Sequence, residues 1–312
     1  MSQSPGYMID RPEVAADFGM SAARNDVLSE VLTLIRLKGE LVYTAQLGSP
    51  WGLRFQPGSS HFYFVESGEL WVTPEGQAAT RVEEGDLILL PLGTGHVIAH
   101  TADGPSVQIA EAAADYFDRH QLALRNGSDE PSSQFVGGFF SFEGSPLPAV
   151  MSALPPLIHI PRSEGGAPPW LAAISRFLVA EAREPNPGSS LMMSRLIDLL
   201  VIRTLRSWAA SEANRTGWLG GLGEERIGRV LSAIHADPFK SWSVQSLAEI
   251  ATMSRSIFAE RFTATVGEPP LRYLSRWRLT IAADLLRSGG LKVTEAAYRS
   301  GYSSDAAFSR GL

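Results

Sequence analysis

The 312-residue chain contains no cysteine. That excludes disulfides, thiolate metal sites and thiol-based redox sensing, and it fits a reducing, cytoplasmic setting. Also missing is any uninterrupted apolar run of about eighteen residues, the length a membrane-spanning helix needs. The opening residues, MSQSPGYMIDRPEV, lack the apolar centre of a secretion signal. Neither a membrane partner nor export is expected. Positive charge is scarce overall, with 27 Lys and Arg against 33 Asp and Glu and a net charge of −6. A nucleic-acid binder with that balance has to concentrate its cations. This chain does so: residues 224–312 hold 12 Lys and Arg against 9 Asp and Glu, while residues 1–223 hold 15 against 24. With 44% apolar and 19% charged residues, the whole suits a globular chain of two domains.

What is present is clearest near the carboxyl end. SVQSLAEIA puts Val244, Leu247, Ile250 and Ala251 on one helical face, and the turn TMS follows. Ser254 then suits the N-cap of RSIFAERFTATVG, whose Phe258, Phe262 and Val266 form a stripe ending at Gly267. Pro269 and Pro270 open a longer helix carrying Leu274, Trp277, Ile281 and Leu285, which Gly289–Gly290 breaks. KVTEAAYRSGYSSDAAFSRGL repeats the plan, with Ala297 in the place of Ala248 and Ser304/Phe308 in those of Ser254/Phe258. Two short helices across a tight turn form a unit whose second helix enters a major groove. Two such units on a helical spacer predict an all-α, DNA-binding C-terminal domain.

The segments LAEIATMSRSIFAERFTATVGEPPLRYLSRWRL and AAYRSGYSSDAAFSR resemble the DNA-binding domain of the AraC/XylS transcriptional regulators over about ninety residues. The resemblance implies double-stranded DNA as partner, a homodimer, and RNA polymerase contact if the protein activates. Outward positions of the first recognition helix are Arg255, Ser256, Ala259, Glu260 and Thr263. By resemblance Ser256, Ala259 and Glu260 face bases, where Ser reads several, Ala touches a thymine methyl and Glu accepts from cytosine N4. Glu260 is alternatively a solvated carboxylate or a partner of Arg261. Arg255, Arg272, Arg276 and Arg278 are phosphate candidates, those of the spacer helix being alternatively plain surface charges. The second recognition helix would present Ser304, Asp305, Ala306 and Arg310. Family members continue past this helix with basic residues, whereas this sequence stops at Gly311–Leu312, so a truncated regulator unable to hold DNA is one alternative.

From Glu40 to Gln108 the pattern changes to short strands punctuated by Gly, Pro, Asp and Ser, which predicts a sandwich or barrel. Gly85-DLILL-Pro91-L-Gly93-TG-His96 resembles the second motif of the cupin superfamily, and His61-FYFVES-Gly68 keeps the spacing of the first. The resemblance implies a jelly-roll barrel with an internal cavity. Metal-binding cupins carry a H-x-H pair before the first motif's Glu. Here Arg54–Pro57 has no histidine, His61 replaces the Glu, and His100 replaces the closing Asn of the second motif. Fewer ligands remain than the three or so that a catalytic site needs. The imidazoles are then hydrogen-bonded lining residues, or a weak divalent-metal site of His61 and His96 completed by His100, Tyr63 or an effector. No cofactor and no enzymatic turnover are expected; a cupin metalloenzyme with an accessory DNA-binding module is the other alternative. Trp51, Phe55, His61, Tyr63, Trp71 and His96 are the candidates for lining an effector pocket.

Asp26 suits the cap of a helix in DVLSEVLTLIRLKG, ahead of the strands. After them, AEAAADYFDRHQLAL suits a short helix, and FVGGFFSFEG and LIHI suit two more strands before the break SEGGAPP. WLAAISRFLVAEA puts Trp170, Ile174, Phe177 and Leu178 on one face. LMMSRLIDLLVIRTLRSWAA is apolar nearly all round, which suits either packing within its own chain or a two-fold dimer interface. ERIGRVLSAIHAD, with Ile227, Val230, Leu231 and Ile234 inward, begins the C-terminal domain. The resulting reading is a multi-domain α+β chain. Residues 1–20 are a leader, 21–165 a cupin-like sensor, 168–215 a helical linker that dimerises, and 224–312 the DNA-binding domain.

Overall fold

The computed structural model describes residues 26–34, 37–126, 130–142, 154–163, 166–184, 186–210, 217–287 and 293–299. The leader, Gly289–Gly290 and the second recognition helix from Gly301 onward lie outside the described residues. Helix α1 (Val27–Leu34) opens the fold, with Ser29 N donating to the Asp26 carboxylate at 3.2 Å as the cap reading requires. Seven strands follow: β1 (Leu37–Leu47), β2 (Gly52–Phe55), β3 (Ser60–Pro74), β4 (Thr80–Glu83), β5 (Leu87–Leu90), β6 (His96–Ala99) and β7 (Val107–Gln108). Then come α2 (Ile109–Tyr116), β8 (Phe117–Asp118), β9 (Ala123–Arg125), β10 (Ser133–Phe142) and β11 (Ile158–Ile160).

The long strand β3 curls the sheet. Its first part pairs antiparallel with β10 and β5, and its second part, from Glu69 on, pairs with β4 and β6. The path runs β7-β2-β6-β3-β10-β1-β9-β8, with only β1/β9 and β2/β7 parallel. The product is a mixed, cupin-like half-barrel. Because side chains alternate across a strand, each strand feeds two cores. Tyr43, Tyr63, Val65, Ile88 and Leu90 fill the inside, whereas Val42, Phe62, Phe64, Leu87 and Leu89 join the cluster on the other face. This is why LILL is buried at all four positions and reads as a continuous apolar run.

Helices α3 (Pro169–Arg183) and α4 (Ser189–Ala210) cover that outer face, with Leu171, Leu178, Ile197 and Leu200 buried. Helix α4 lies across β1 where Gly39 gives it room. A Cβ on Gly39 would sit 2.6 Å from Ile197 Cβ and 2.8 Å from Ser194 O. Beyond residue 216 the regular elements among the described residues are all helices: α5 (Gly217–Gly221), α6 (Glu225–Ala236), α7 (Val244–Ile250), α8 (Arg255–Val266), α9 (Pro270–Arg287) and α10 (Val293–Arg299). Helices α7 and α8 form one helix–turn–helix. Ser243 and Ser246 cap α7 reciprocally at 3.0 Å. Gly267 ends α8 at φ +90°, a left-handed geometry that suits a residue without Cβ. Leu247, Ala248, Ala251, Phe258 and Phe262 close the core between the two helices.

Candidate nucleic-acid interface and barrel pocket

Helix α8 divides as its period demands. Phe258, Phe262 and Val266 are buried, while Arg255, Ser256, Ile257 and Glu260 are exposed. Ala259 and Thr263 are half-buried, and the Thr263 hydroxyl donates to Ala259 O at 2.8 Å. Arg261 turns away to Glu224, 3.3 Å distant, so Glu260 does not have it as a partner. The four phosphate candidates separate into two kinds. Arg255 and Arg272 are exposed and hold no ion pair among the described residues. Arg276 instead pairs with the buried Glu268 and lies over the Tyr273 ring. Arg278 donates Nε to Pro238 O at 2.6 Å and Nη2 to Lys240 O at 2.8 Å, stapling the loop that leads into α7. Ser304, Asp305, Ala306 and Arg310 lie outside the described residues.

Inside the half-barrel, the structure brings four of the six pocket candidates together. Phe55 stacks on His96 with centroids 4.7 Å apart, and His61 meets both edge-on at 4.9 and 4.6 Å. The Tyr63 hydroxyl is 2.7 Å from His96 Nε2. Burial lowers His61 to about 4, and burial together with the His61 neighbour lowers His96 to about 3. Burial also holds Tyr63 well above its usual phenol range. Both imidazoles and the phenol are therefore neutral at pH 7, and Tyr63 and His96 share one hydrogen bond. Trp51 sits further along, stacked on Phe135 at 5.9 Å. Trp71 does not join, because Leu70 and Val72 on either side of it point into the barrel. Phe139 and Tyr43, absent from the candidates, complete the cluster, with Phe139 4.7 Å from His61 and Tyr43 5.8 Å from Phe139. Their alternation with Phe140 and Val42 is the signal that could have located them inside.

The donors present do not fit a cupin metal. His100 is tied to the Trp51 main chain, with Nδ1 3.1 Å from Trp51 N and 2.8 Å from its O. Tyr63 is engaged with His96, and no carboxylate stands where His61 replaces the motif's Glu. Among the described residues no group of three or more His, Asp or Glu is placed to hold an ion. At the mouth of the barrel lies a cavity of about 480 Å³. Its wall includes Arg54, Gln56, Glu75 and Asp103, and Phe55 and His96 also line it. Among the described residues no helix is long and apolar enough to cross a membrane.

Comparison with known proteins agrees with both halves. A family model described as Cupin matches residues 26–210, and one described as Helix-turn-helix domain matches residues 247–311. An AraC-like transcription regulator of Streptomyces lividans is 30% identical over 287 residues, covering 91% of this chain and 93% of its own. The HTH-type transcriptional regulator AlkR of Acinetobacter baylyi is 31% identical over 298 residues, covering 92% and 95%.

Proposed function

Because this chain belongs to the AraC family of transcriptional regulators, with a cupin-type sensor region ahead of its helix–turn–helix, we propose that it is a homodimeric switch in the cytoplasm, set by a small molecule or stress signal. It is a DNA-binding regulator and not an enzyme. The observation that carries the reading is the outer row of α8, where Ser256 and Glu260 stand exposed beside unpaired Arg255 while the apolar stripe is buried. Ser256 and Glu260 specify bases; Arg255 and Arg272 hold phosphates. A second unit, begun by α10 and continued by Ser304, Asp305, Ala306 and Arg310, addresses the next turn of duplex from the far end of α9. Sensor, linker and DNA-binding parts correspond to residues 21–165, 168–215 and 224–312, the first closing as a jelly roll. The effector is a small polar molecule that enters at the barrel mouth and rests on the Phe55–His96 pair. If the protein activates, RNA polymerase is a further partner.

Dimerisation is supported by apolar side chains left uncovered on the linker helices: Phe177 on α3 and Leu191, Met192 and Leu199 on α4 are all exposed. Met192 and Leu199, seven residues apart, share one face. Replacing both by Glu is expected to convert a sedimenting dimer to monomer with little change in melting temperature. For DNA reading, the purified chain is offered fragments of its own genome and the retained ones are tested against bulk competitor DNA. Retention no better than that of bulk DNA would sink the proposal.

A further inference from the structure

We infer that Ile257 reads sequence, its side chain taking up the 5-methyl group of a thymine in the major groove. This rests on α8 being a DNA-reading helix. A single exposed aliphatic residue on a protein surface is ordinary. What distinguishes this one is its place. Ile257 lies in the first turn of the recognition helix, the turn whose side chains reach base edges in helix–turn–helix docking. It stands beside exposed Ser256 and one turn before exposed Glu260, and it is itself 59% exposed.

Three features keep it available and in position. Arg261, the residue four further on and so its neighbour along the helix, is drawn off toward Glu224 at 3.3 Å and leaves Ile257 uncovered. The backbone at Ile257 is tied down, because its N–H donates to the Ser254 N-cap hydroxyl at 3.5 Å. A β-branched side chain in a helix has essentially one χ1 setting, so the methyl groups are presented with little conformational freedom to lose. The other candidate for such a contact, Ala259, is half-buried and short, and its carbonyl already accepts the Thr263 hydroxyl. Of the four bases only thymine offers a methyl group in the major groove, so an aliphatic side chain there selects thymine. Ile257 and Glu260 are separated by one helical turn, about 5 Å along the axis, so the thymine and the cytosine read by Glu260 belong to neighbouring base pairs.

The experiment replaces thymine by uracil, which removes that methyl and nothing else, one position at a time in a genomic fragment retained by the wild-type protein. The inference expects one thymine in the protected region whose replacement weakens wild-type Kd by about fourfold, the transfer cost of one methyl-sized group. Ile257→Ala should bind the thymine fragment about as weakly as wild type binds the uracil one, and should not distinguish the two. Ile257→Val should keep part of the distinction. Circular dichroism melting of both variants should match wild type, since the side chain is exposed. Uracil penalties that persist in full in Ile257→Ala, or no sensitive thymine at all, would overturn it. If wild type retains no fragment, DNA reading itself fails and takes the inference with it.

Discussion

Burial, and not charge pairing, governs His61, His96 and His235. Their folded pKa values are lowered to about 4, 3 and 3, against about 6.5 for a free imidazole. Between those values the unfolded chain binds more protons than the folded one, so stability falls as pH is lowered from about 6.5. Urea unfolding followed from pH 7.5 to 5.5 should show a stability slope growing toward about three protons, with His61→Phe reducing it by about one. Glu66 and Glu268, whose carboxyls burial raises, act in the opposite sense. A flat profile would mean the imidazoles are solvated. The arginines give a second contrast. Arg272→Ala should weaken DNA binding and reduce the log–log salt slope by about 0.9, leaving the melting temperature alone. Arg278→Ala should do the reverse and lower stability by about 1–3 kcal/mol, because the Pro238 and Lys240 carbonyls lose their donor. Sequence alone ranked these two arginines together, since both lie on the outward side of an amphipathic helix. Only the fold of the 237–243 loop back onto α9 separates them.

At the scale of elements, periodicity carried most of the reading. The stripes Phe258–Phe262–Val266 and Ile227–Val230–Leu231–Ile234 are buried as their spacing predicted, because a helix core depends on which residues share a face. The nearly all-apolar α4 was legible as a helix without a solvated side. Which residues it leaves uncovered was not, since that depends on where β1 crosses it. Gly39 is the point of crossing, and nothing in LKGE marks it as a contact with a helix some 155 residues later. Gly39→Ala should cost about 1–3 kcal/mol in thermal or urea unfolding, because the new methyl meets the Cβ of Ile197 and the Ser194 carbonyl. A backbone collision cannot be relieved by a rotamer change. If Gly39→Ala is neutral, α4 does not approach β1 as closely as described. In the barrel, the spacing around Gly85, Pro91, Gly93 and His96 predicted the strands well. The aromatic content of the strands, which suggested Trp71 as a lining residue, does not reveal that its parity on β3 is opposite to that of Leu70 and Val72.

For the molecule as a whole, the least legible feature is where α1 docks. In sequence it belongs with the barrel that follows it through β1, yet it packs on α6 at the start of the helical half. Val27, Leu28, Val31 and Leu32 are buried in the same cluster as Ile227, Val230 and Ile234. Beside them, Glu30 Oε2 stands 3.3 Å from His235 Nδ1, and His235 Nε2 is 2.8 Å from the Tyr273 hydroxyl of α9. Helix α1 is thereby linked through α6 to the spacer helix α9 of the DNA-binding domain. Two contacts compete for the credit of holding that joint. With His235 neutral at pH 7 and Glu30 half-exposed, the polar contact is not a full ion pair and contributes at most about 1 kcal/mol. Four buried aliphatic side chains remove far more apolar surface from water, about 1.5–3 kcal/mol for each one fully buried. Glu30→Gln is accordingly expected to leave α6 unchanged. Val31→Ala should cost about 1–2 kcal/mol, and should raise hydrogen exchange selectively at the α6 amides while those of β3 and β10 stay protected. Exchange that rose in the barrel alone would place α1 with the sheet instead of with α6.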